Sequence, residues 1–141
     1  MTGIYSRLLV NYAQQLNPIP DIIATGPIVV PIPLHPAKER KRGFNQSALI
    51  ARSFAQKMNL PYDELLVKVI NDEPQAQTKT HTIRLERMRG VFAVPYPMQV
   101  RHKNIILIDD VSTSGATLSE AARTLKKAGA KRILALVIAK A

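Results

Sequence analysis

The sequence of 141 residues contains no cysteine and no tryptophan, and aromatic residues make up only 5% of it. Without cysteine the chain forms no disulfide bond and offers no thiolate ligand to a metal ion. No apolar run approaches the length of a membrane span, and the first residues lack the basic-then-apolar layout of a signal peptide. We therefore expect a single cytoplasmic domain over residues 1–141, with no membrane contact.

Acidic residues are also scarce, because 10 Asp and Glu stand against 20 Lys and Arg, which gives a formal net charge of +10. A surface of this kind attracts anions, so that nucleic acid and a small polyphosphate are both candidate partners. The other interpretation is that several lysines only keep the surface soluble. Composition alone leaves these interpretations open.

Residues 105–117 carry the most informative pattern in the chain, IILIDDVSTSGAT. Four aliphatic residues predict a short buried strand, and Asp109 and Asp110 follow at its end. A run of small residues comes next and leads into a helical pattern. Backbone N–H groups and the helix dipole make such a strand, loop and helix an anion site. The two carboxylates would repel a phosphate and suit hydroxyl groups or a divalent metal, so a sugar phosphate fits both features.

Apolar strands alternate with helical patterns along the chain. Helices are predicted over residues 4–16, 45–59 and 117–128, and strands over 28–30, 65–70, 92–94, 105–108 and 133–138. Prolines predict an irregular loop over 31–44, and the polar, glycine-free stretch 71–89 predicts a mobile loop. The alternation predicts an α/β fold, a mostly parallel central sheet flanked by helices. Ligands of such sheets bind at the carboxyl ends of the strands, where both 31–44 and 109–117 begin.

A cluster of cations precedes the helix predicted to begin near Asn45. Lys38, Arg40, Lys41 and Arg42 stand there within five positions, and Gly43 allows the backbone to turn. A pyrophosphate group needs several cationic donors together with exposed backbone amides, and this segment supplies both. A solvated basic turn is the alternative interpretation.

The pattern of residues 105–117 resembles the phosphoribosyl pyrophosphate (PRPP) motif of the type I phosphoribosyltransferases. The resemblance implies that Asp109 and Asp110 hold the ribose 2′- and 3′-hydroxyls as catalytic residues and bind Mg²⁺, directly or through water. It also implies that the 5′-phosphate lies in the loop of Ser112, Thr113, Ser114, Gly115, Ala116 and Thr117.

The block Arg42-Gly43-Phe44-Asn45-Gln46 is similar to the ComF-like branch of that family, the competence protein F homologues. The resemblance implies that residues 1–27 form an N-terminal helical or hood segment. It further implies that Arg84 is a catalytic residue on a mobile loop that closes over the site, although Arg87 stands where that branch usually has Asn. The pyrophosphate would be bound within the set Pro33, Leu34, His35, Lys38, Arg40 and Arg42.

Several questions about activity stay open at this point. The 6-oxopurine enzymes of the family carry Asp where this chain has Thr113, which argues against a hypoxanthine or guanine acceptor. ComF-like proteins commonly begin with a four-cysteine zinc ribbon, which this sequence lacks, so that it is either a shorter variant or a truncated chain. We expect a transferase for an unknown acceptor. The alternatives are a non-catalytic PRPP or nucleotide-binding protein and a DNA-uptake factor that binds single-stranded DNA, and the sequence also allows a homodimer.

Overall fold

A parallel sheet forms the centre of the structure. The computed structural model describes residues 21–71, 86, 88–112 and 115–140, and at 111, 112, 139 and 140 it describes the backbone alone. In this part of the chain the sheet has the order β1-β4-β5. Its strands are β1 (Ile28–Pro31), β4 (Asn104–Ser112) and β5 (Arg132–Lys140). Both neighbours pair parallel with β4, which confirms the predicted parallel sheet.

The remaining elements connect and cover these strands. The helices are α1 (Asp21–Ala24), α2 (Pro36–Arg42), α3 (Gln46–Met58) and α4 (Ala116–Lys127), and a 3-10 turn covers Pro97–Gln99. Two short strands, β2 (Val67–Lys68) and β3 (Phe92–Ala93), form a separate antiparallel pair. Within the described ranges, no helix is both long enough and apolar enough to cross a bilayer.

The core lies on both faces of β4. Its four aliphatic residues, 105–108, are 0% exposed. The odd-numbered ones pack in a cluster with Leu125 of α4, whereas the even-numbered ones pack in a second cluster with Phe54 of α3. Because successive side chains of a strand point to opposite faces, α4 and α3 cover opposite faces of the sheet. The predicted α/β architecture, a sheet flanked by helices, is confirmed.

The central strand is longer than predicted. The apolar run suggested a strand that stops at Ile108, but β4 continues to Ser112 and includes both aspartates. Strand pairing uses backbone groups, and β5 continues alongside, with Asp109 opposite Val137 and Ser112 opposite Lys140. The acidic pair therefore lies within the carboxyl-terminal part of the strand rather than beyond its end.

The prediction of an irregular loop over residues 31–44 was wrong, because α2 occupies much of that segment. Pro36 is the first residue of the helix, where a missing N–H does no harm and the fixed φ of proline is already helical. His35 caps the helix by accepting the N–H of Ala37 at Nδ1 over 3.1 Å. Gly43 ends it in the left-handed conformation with φ 85°.

Other element boundaries differ by smaller amounts. The strand predicted over 65–70 is reduced to β2, β3 ends one residue before the predicted limit, and α4 begins one residue earlier than predicted. β5 extends beyond the predicted 133–138 at both ends. Apolar runs indicate that an element exists, but backbone pairing decides where it stops. The predicted helix over 4–16 and residues 72–85 of the predicted mobile loop lie outside the described residues.

The start of α3 agrees with its prediction and ties the helix to the sheet. Asn45 is its N-cap, and the Asn45 Oδ1 accepts the N–H groups of Ser47 and Ala48 at 3.0 and 3.4 Å. The Asn45 Nδ2 donates to the carbonyl of Ile32 at 3.1 Å. The N–H of Ile32 in turn donates to the carbonyl of Ile108 at 2.9 Å. The Asn45 side chain therefore ties the exit of β1 to the beginning of α3, and the backbone bond of Ile32 ties this junction to the end of the apolar part of β4.

Replacing Asn45 with Ala should destabilise the protein by about 2–3 kcal/mol, since a helix cap is lost and the buried carbonyl of Ile32 loses its donor. Urea unfolding followed by circular dichroism measures this as a lower midpoint at an unchanged slope. The control is Asn71→Ala, at an exposed position. Equal midpoints for the two variants would contradict the role of Asn45.

Candidate active site

The candidate site is built on two adjacent carboxylates at the carboxyl end of β4. Asp109 is only 7% exposed, and Asp110 is half-buried. The Asp109 Oδ1 accepts the backbone N–H of Asp110 at 2.9 Å and the hydroxyl of Ser47 at 3.1 Å. The same hydroxyl lies 3.5 Å from the Asp110 Oδ1. Ser47, at the beginning of α3, thus bridges the acidic pair.

The surroundings of the acidic pair disfavour the charged form of Asp109. Burial, and after it the neighbouring Asp110 carboxylate, raise the pKa of Asp109 to about 7, although the Ser47 hydroxyl acts in the opposite direction. Two close carboxylates in a buried place disfavour each other's charge. A partner that supplies positive charge or hydroxyl donors would relieve this repulsion. The site is therefore suited to a cation or to a polyhydroxylated ligand.

The acidic pair fits the way in which Mg²⁺ is usually bound in phosphate-transfer sites. Mg²⁺ commonly takes one or two carboxylates and completes its octahedron with water and substrate phosphates. Among the described residues, no group of three or more His, Cys, Asp or Glu side chains comes together as a metal site. Asp109 and Asp110 are two carboxylates that could serve as the protein ligands of such an ion, with the other positions left to water and substrate phosphates.

The loop predicted to bind the 5′-phosphate connects β4 to α4. Gly115 precedes the helix with φ 76°, a left-handed conformation that favours glycine. Ala116 is 3% exposed and packs in the core, so that its side chain cannot face a ligand. The first amides of α4, including that of the half-buried Thr117, lie at the positive end of a 12-residue helix.

Three further members of the predicted phosphate loop are described only in part or not at all. The backbone of Ser112 is the last residue of β4, whereas Thr113 and Ser114 lie outside the described residues. Arg84, the predicted loop residue, also lies outside them.

The segment predicted to bind pyrophosphate begins beside the acids. The ladder between β1 and β4 reaches Ile32, whose N–H bonds to the carbonyl of Ile108, and Pro33, Leu34 and His35 follow directly. Because the Nδ1 of His35 accepts the N–H of Ala37, the proton of the neutral ring belongs on Nε2. His35 can therefore cap α2 and still donate one hydrogen bond outward.

The predicted cations are on α2 and do not converge. At about 100° per residue, Lys38 and Arg42 lie on one side of the helix, whereas Arg40 is turned about 160° away from Lys38. Lys38 is half-buried, whereas Arg40 and Arg42 are exposed. The helix thus separates Arg40 from the other two cations. The irregular loop that the sequence predicted would have been free to bring all three to one anion.

A buried acid on α4 holds the turn that leads into β3. Glu120 is 4% exposed and receives two hydrogen bonds from Arg123, at 2.8 and 2.6 Å. Its Oε2 also accepts the N–H of Gly90 at 3.2 Å. The Arg123 guanidinium lowers the pKa of Glu120. Gly90 and Phe92 thus belong to a turn and a strand that are attached to α4.

Ser47 is the site residue that the sequence did not reveal. It is 62 positions from Asp109 in the chain, so no local pattern joins them. The sequence offered one indication of its role. Ser47 stands two residues after the Asn45 cap and follows, in the chain, the segment predicted to bind pyrophosphate.

Comparison with known proteins identifies the family. Residues 45–141, which include Ser47 and the acidic pair, match the phosphoribosyl transferase domain. This match covers more than half of the chain. The chain therefore belongs to the phosphoribosyltransferase family, as the motif at 105–117 predicted.

Curated relatives indicate the branch of this family. Competence protein F of Haemophilus influenzae is 25% identical over 114 residues, 80% of this chain and 50% of that protein. Competence protein ComFC of Bacillus subtilis is 36% identical over 102 residues, 72% of this chain and 39% of that protein. DNA utilization protein YhgH of Escherichia coli is 28% identical over 105 residues, 74% of this chain and 45% of that protein. The predicted ComF-like type I branch is confirmed, and the chain spans half or less of these relatives' length.

Solved structures confirm the fold. Glutamine PRPP amidotransferase of B. subtilis matches with a TM-score of 0.60 and 18% identity, over 97% of this chain and 25% of that one. PRPP synthetase of Mycobacterium smegmatis matches with a TM-score of 0.56 and 16% identity, over 96% of this chain and 33% of that one. At these identities the likeness concerns the fold alone.

The raised pKa of Asp109 predicts how stability depends on pH. Between about pH 4 and about pH 7 the folded carboxyl keeps its proton, whereas the unfolded one loses it. The folded state then binds more protons, so this group lowers the free energy of unfolding as the pH rises, by at most about 1.4 kcal/mol per pH unit. Asp109→Asn removes the titrating group and should make the unliganded protein more stable than the wild type above neutral pH.

Urea unfolding at several pH values, with a metal chelator present, measures the difference between the two proteins. Asp63→Asn, at an exposed carboxyl, is the control and should keep the pH dependence of the wild type. Parallel curves for the wild type and Asp109→Asn would show that Asp109 does not titrate in this range.

Proposed function

We propose that this protein binds PRPP together with Mg²⁺ and transfers the phosphoribosyl group to an acceptor, with release of pyrophosphate. The observation that supports this most strongly is the acidic pair, which Ser47 contacts and which lies in the carboxyl-terminal part of β4, five residues before the Gly115 turn of α4. In a chain that belongs to the phosphoribosyltransferase family, this arrangement suits a ribose phosphate. The carboxylates accept hydroxyl groups, and the helix start accepts the phosphate.

In this proposal Asp109 and Asp110 orient the sugar. The 2′- and 3′-hydroxyls donate to their oxygens, and the 5′-phosphate accepts hydrogen bonds from the first amides of α4. Holding both ends of the ribose fixes the position of its anomeric carbon and lowers the entropic part of the barrier.

The transfer itself exchanges two bonds at that carbon. The acceptor nucleophile bonds to it with its own electron pair, while the bond to the pyrophosphate oxygen breaks and its electrons leave with pyrophosphate. The proton of the nucleophile passes to the departing pyrophosphate or to water. Negative charge thus grows on the leaving group, and in this proposal Lys38 and Arg42, on one side of α2, stabilise it. Bound Mg²⁺ would add further charge neutralisation at the pyrophosphate.

Replacing both acids, Asp109→Asn/Asp110→Asn, should weaken PRPP binding by about 100-fold or more, because two hydrogen bonds to charged groups are lost. Titration calorimetry with Mg²⁺ at physiological salt measures the affinity, with Asp63→Asn as the matched control. Pyrophosphate and ATP serve as control ligands. Pyrophosphate has no ribose, and the ribose hydroxyls of ATP stand in a different position relative to its phosphates than those of PRPP. Equal binding of all three ligands by wild type and double variant would reduce the site to a basic patch and contradict the proposal.

Turnover is tested separately, by pyrophosphate release from PRPP in the presence of purine bases, pyrimidine bases and ammonia. Release that depends on one acceptor and on the two acids supports the transferase. Tight PRPP binding without release for any acceptor favours the non-catalytic alternative, a protein that only binds PRPP or a nucleotide.

Binding of single-stranded DNA is a second candidate function, and one structural feature favours it. Phe44 is 48% exposed and follows directly after α2, whose Arg40, Lys41 and Arg42 are exposed as well. An exposed ring beside cations is the element from which sequence-tolerant single-strand binding is built, since bases stack on the ring while cations follow the backbone. The names of the relatives, which refer to competence and DNA utilization, point in the same direction.

Phe44→Ala should weaken the binding of a single-stranded oligonucleotide by about tenfold, because a stacking contact is lost. Arg40→Ala/Lys41→Ala should reduce the slope of affinity against salt concentration by about 1.4. Fluorescence anisotropy over a salt series measures both effects. Arg101→Ala/Lys103→Ala removes two exposed cations before β4 and is the control with the same change in charge. Binding that vanishes at physiological salt, with equal effects of both double variants, would leave only nonspecific attraction.

A further inference from the structure

The hydroxyl of Ser47 is placed where it can act on the acidic pair. Ser47 is 4% exposed, and its Oγ is 3.1 Å from the Asp109 Oδ1 and 3.5 Å from the Asp110 Oδ1. A serine hydroxyl has a single proton, so it donates to one of these oxygens at a time, and the shorter distance favours Asp109. This hydrogen bond restricts the rotation of the Asp109 carboxylate, which the proposed function assigns to the ribose hydroxyls.

Serine near a helix start usually finds a partner in its own helix or turn. The side chain of Ser47 instead donates across to a strand, whereas its backbone N–H is taken by the Asn45 cap at 3.0 Å. Because the cap orders the backbone of Ser47, the hydroxyl approaches Asp109 from a fixed point.

The same cap reaches the strand that precedes α2. The Asn45 Nδ2 bonds to the carbonyl of Ile32 at 3.1 Å, and the N–H of Ile32 bonds to the carbonyl of Ile108 at 2.9 Å. A closed circuit of hydrogen bonds therefore runs from β4 through Ile32, Asn45 and Ser47 and back to β4 at Asp109. Ile32, a member of this circuit, directly precedes the segment predicted to bind pyrophosphate, which begins at Pro33.

We propose that Ser47 is a positioning residue of the PRPP site, whose hydroxyl orients the Asp109 carboxylate toward the ribose hydroxyls and keeps it in register with the pyrophosphate segment. This inference rests on the proposed function. Ser47 acts through Asp109 and does not itself contact the substrate. Its loss should therefore weaken ligands that carry a ribose and leave ligands without one unaffected.

The test compares Ser47→Ala with the wild type by titration calorimetry in the presence of Mg²⁺, using PRPP, ribose 5-phosphate and inorganic pyrophosphate as probes. Ser47→Ala should bind PRPP and ribose 5-phosphate about tenfold more weakly, since a hydrogen bond to a charged group is removed. Pyrophosphate affinity should be unchanged. Ser53→Ala, the same substitution at a more exposed position of α3, is the matched control and should bind all three probes like the wild type.

The outcomes separate this inference from the proposed function. If the wild type binds neither PRPP nor ribose 5-phosphate, the proposed function fails, and the role of Ser47 fails with it. If the wild type binds both and Ser47→Ala binds them equally well, the PRPP site stands and the positioning role is overturned. If Ser47→Ala weakens all three probes alike and also lowers the urea midpoint, Ser47 supports the fold rather than the carboxylate, which again overturns the inference.

Discussion

Repulsion between two neighbouring carboxylates, which directly follow the buried residues 105–108 of β4, is the constraint around which this site is organised. Burial and the Asp110 carboxylate raise the pKa of Asp109, so the unliganded site resists the charged state that ligand binding requires. The hydroxyl of Ser47 and the backbone N–H of Asp110 offset part of this cost. A sugar with two hydroxyls, or a divalent cation, would offset more of it. The repulsion therefore lowers the stability of the free protein, and a ligand that relieves it would raise that stability, a common relation between active sites and stability.

The fold supports the pair from both faces of the sheet. On one face, Asn45 fixes the start of α3 against the exit of β1, which places Ser47 beside Asp109. On the other face, α4 begins at the Gly115 turn and presents its positive end next to the same strand. Further along α4, Glu120 holds the turn at Gly90 and so attaches the strand pair β2–β3 to this helix. Hydrogen bonds thus connect the acidic pair to the start of α3 and to the exit of β1, and α4 follows the same strand.

The sequence predicted the parts of this arrangement that depend on local patterns. The buried run before Asp109, the Asn45 cap and the small-residue loop with Gly115 were each visible in a few consecutive residues. The helix α2 was missed because prolines were interpreted as breaking structure, whereas Pro36 begins the helix. The length of β4 was missed because pairing with β5 continues past its apolar residues. The contact of Ser47 with Asp109 and that of Glu120 with Gly90 could not be found, since they span 62 and 30 positions and only the folded chain brings these residues together.

An amide-resolved NMR titration of the protein with Mg²⁺ and PRPP would test the central claim most directly. The account predicts saturable chemical shift changes that concentrate on the amides of Ser47, Asp109 and Asp110 and on the first turn of α4. It also predicts smaller changes at the exposed cations near Arg101, which lie before the opposite end of β4. Changes confined to the exposed cations of α2 and the Arg101 region, without saturation and with the acidic pair unaffected, would contradict it.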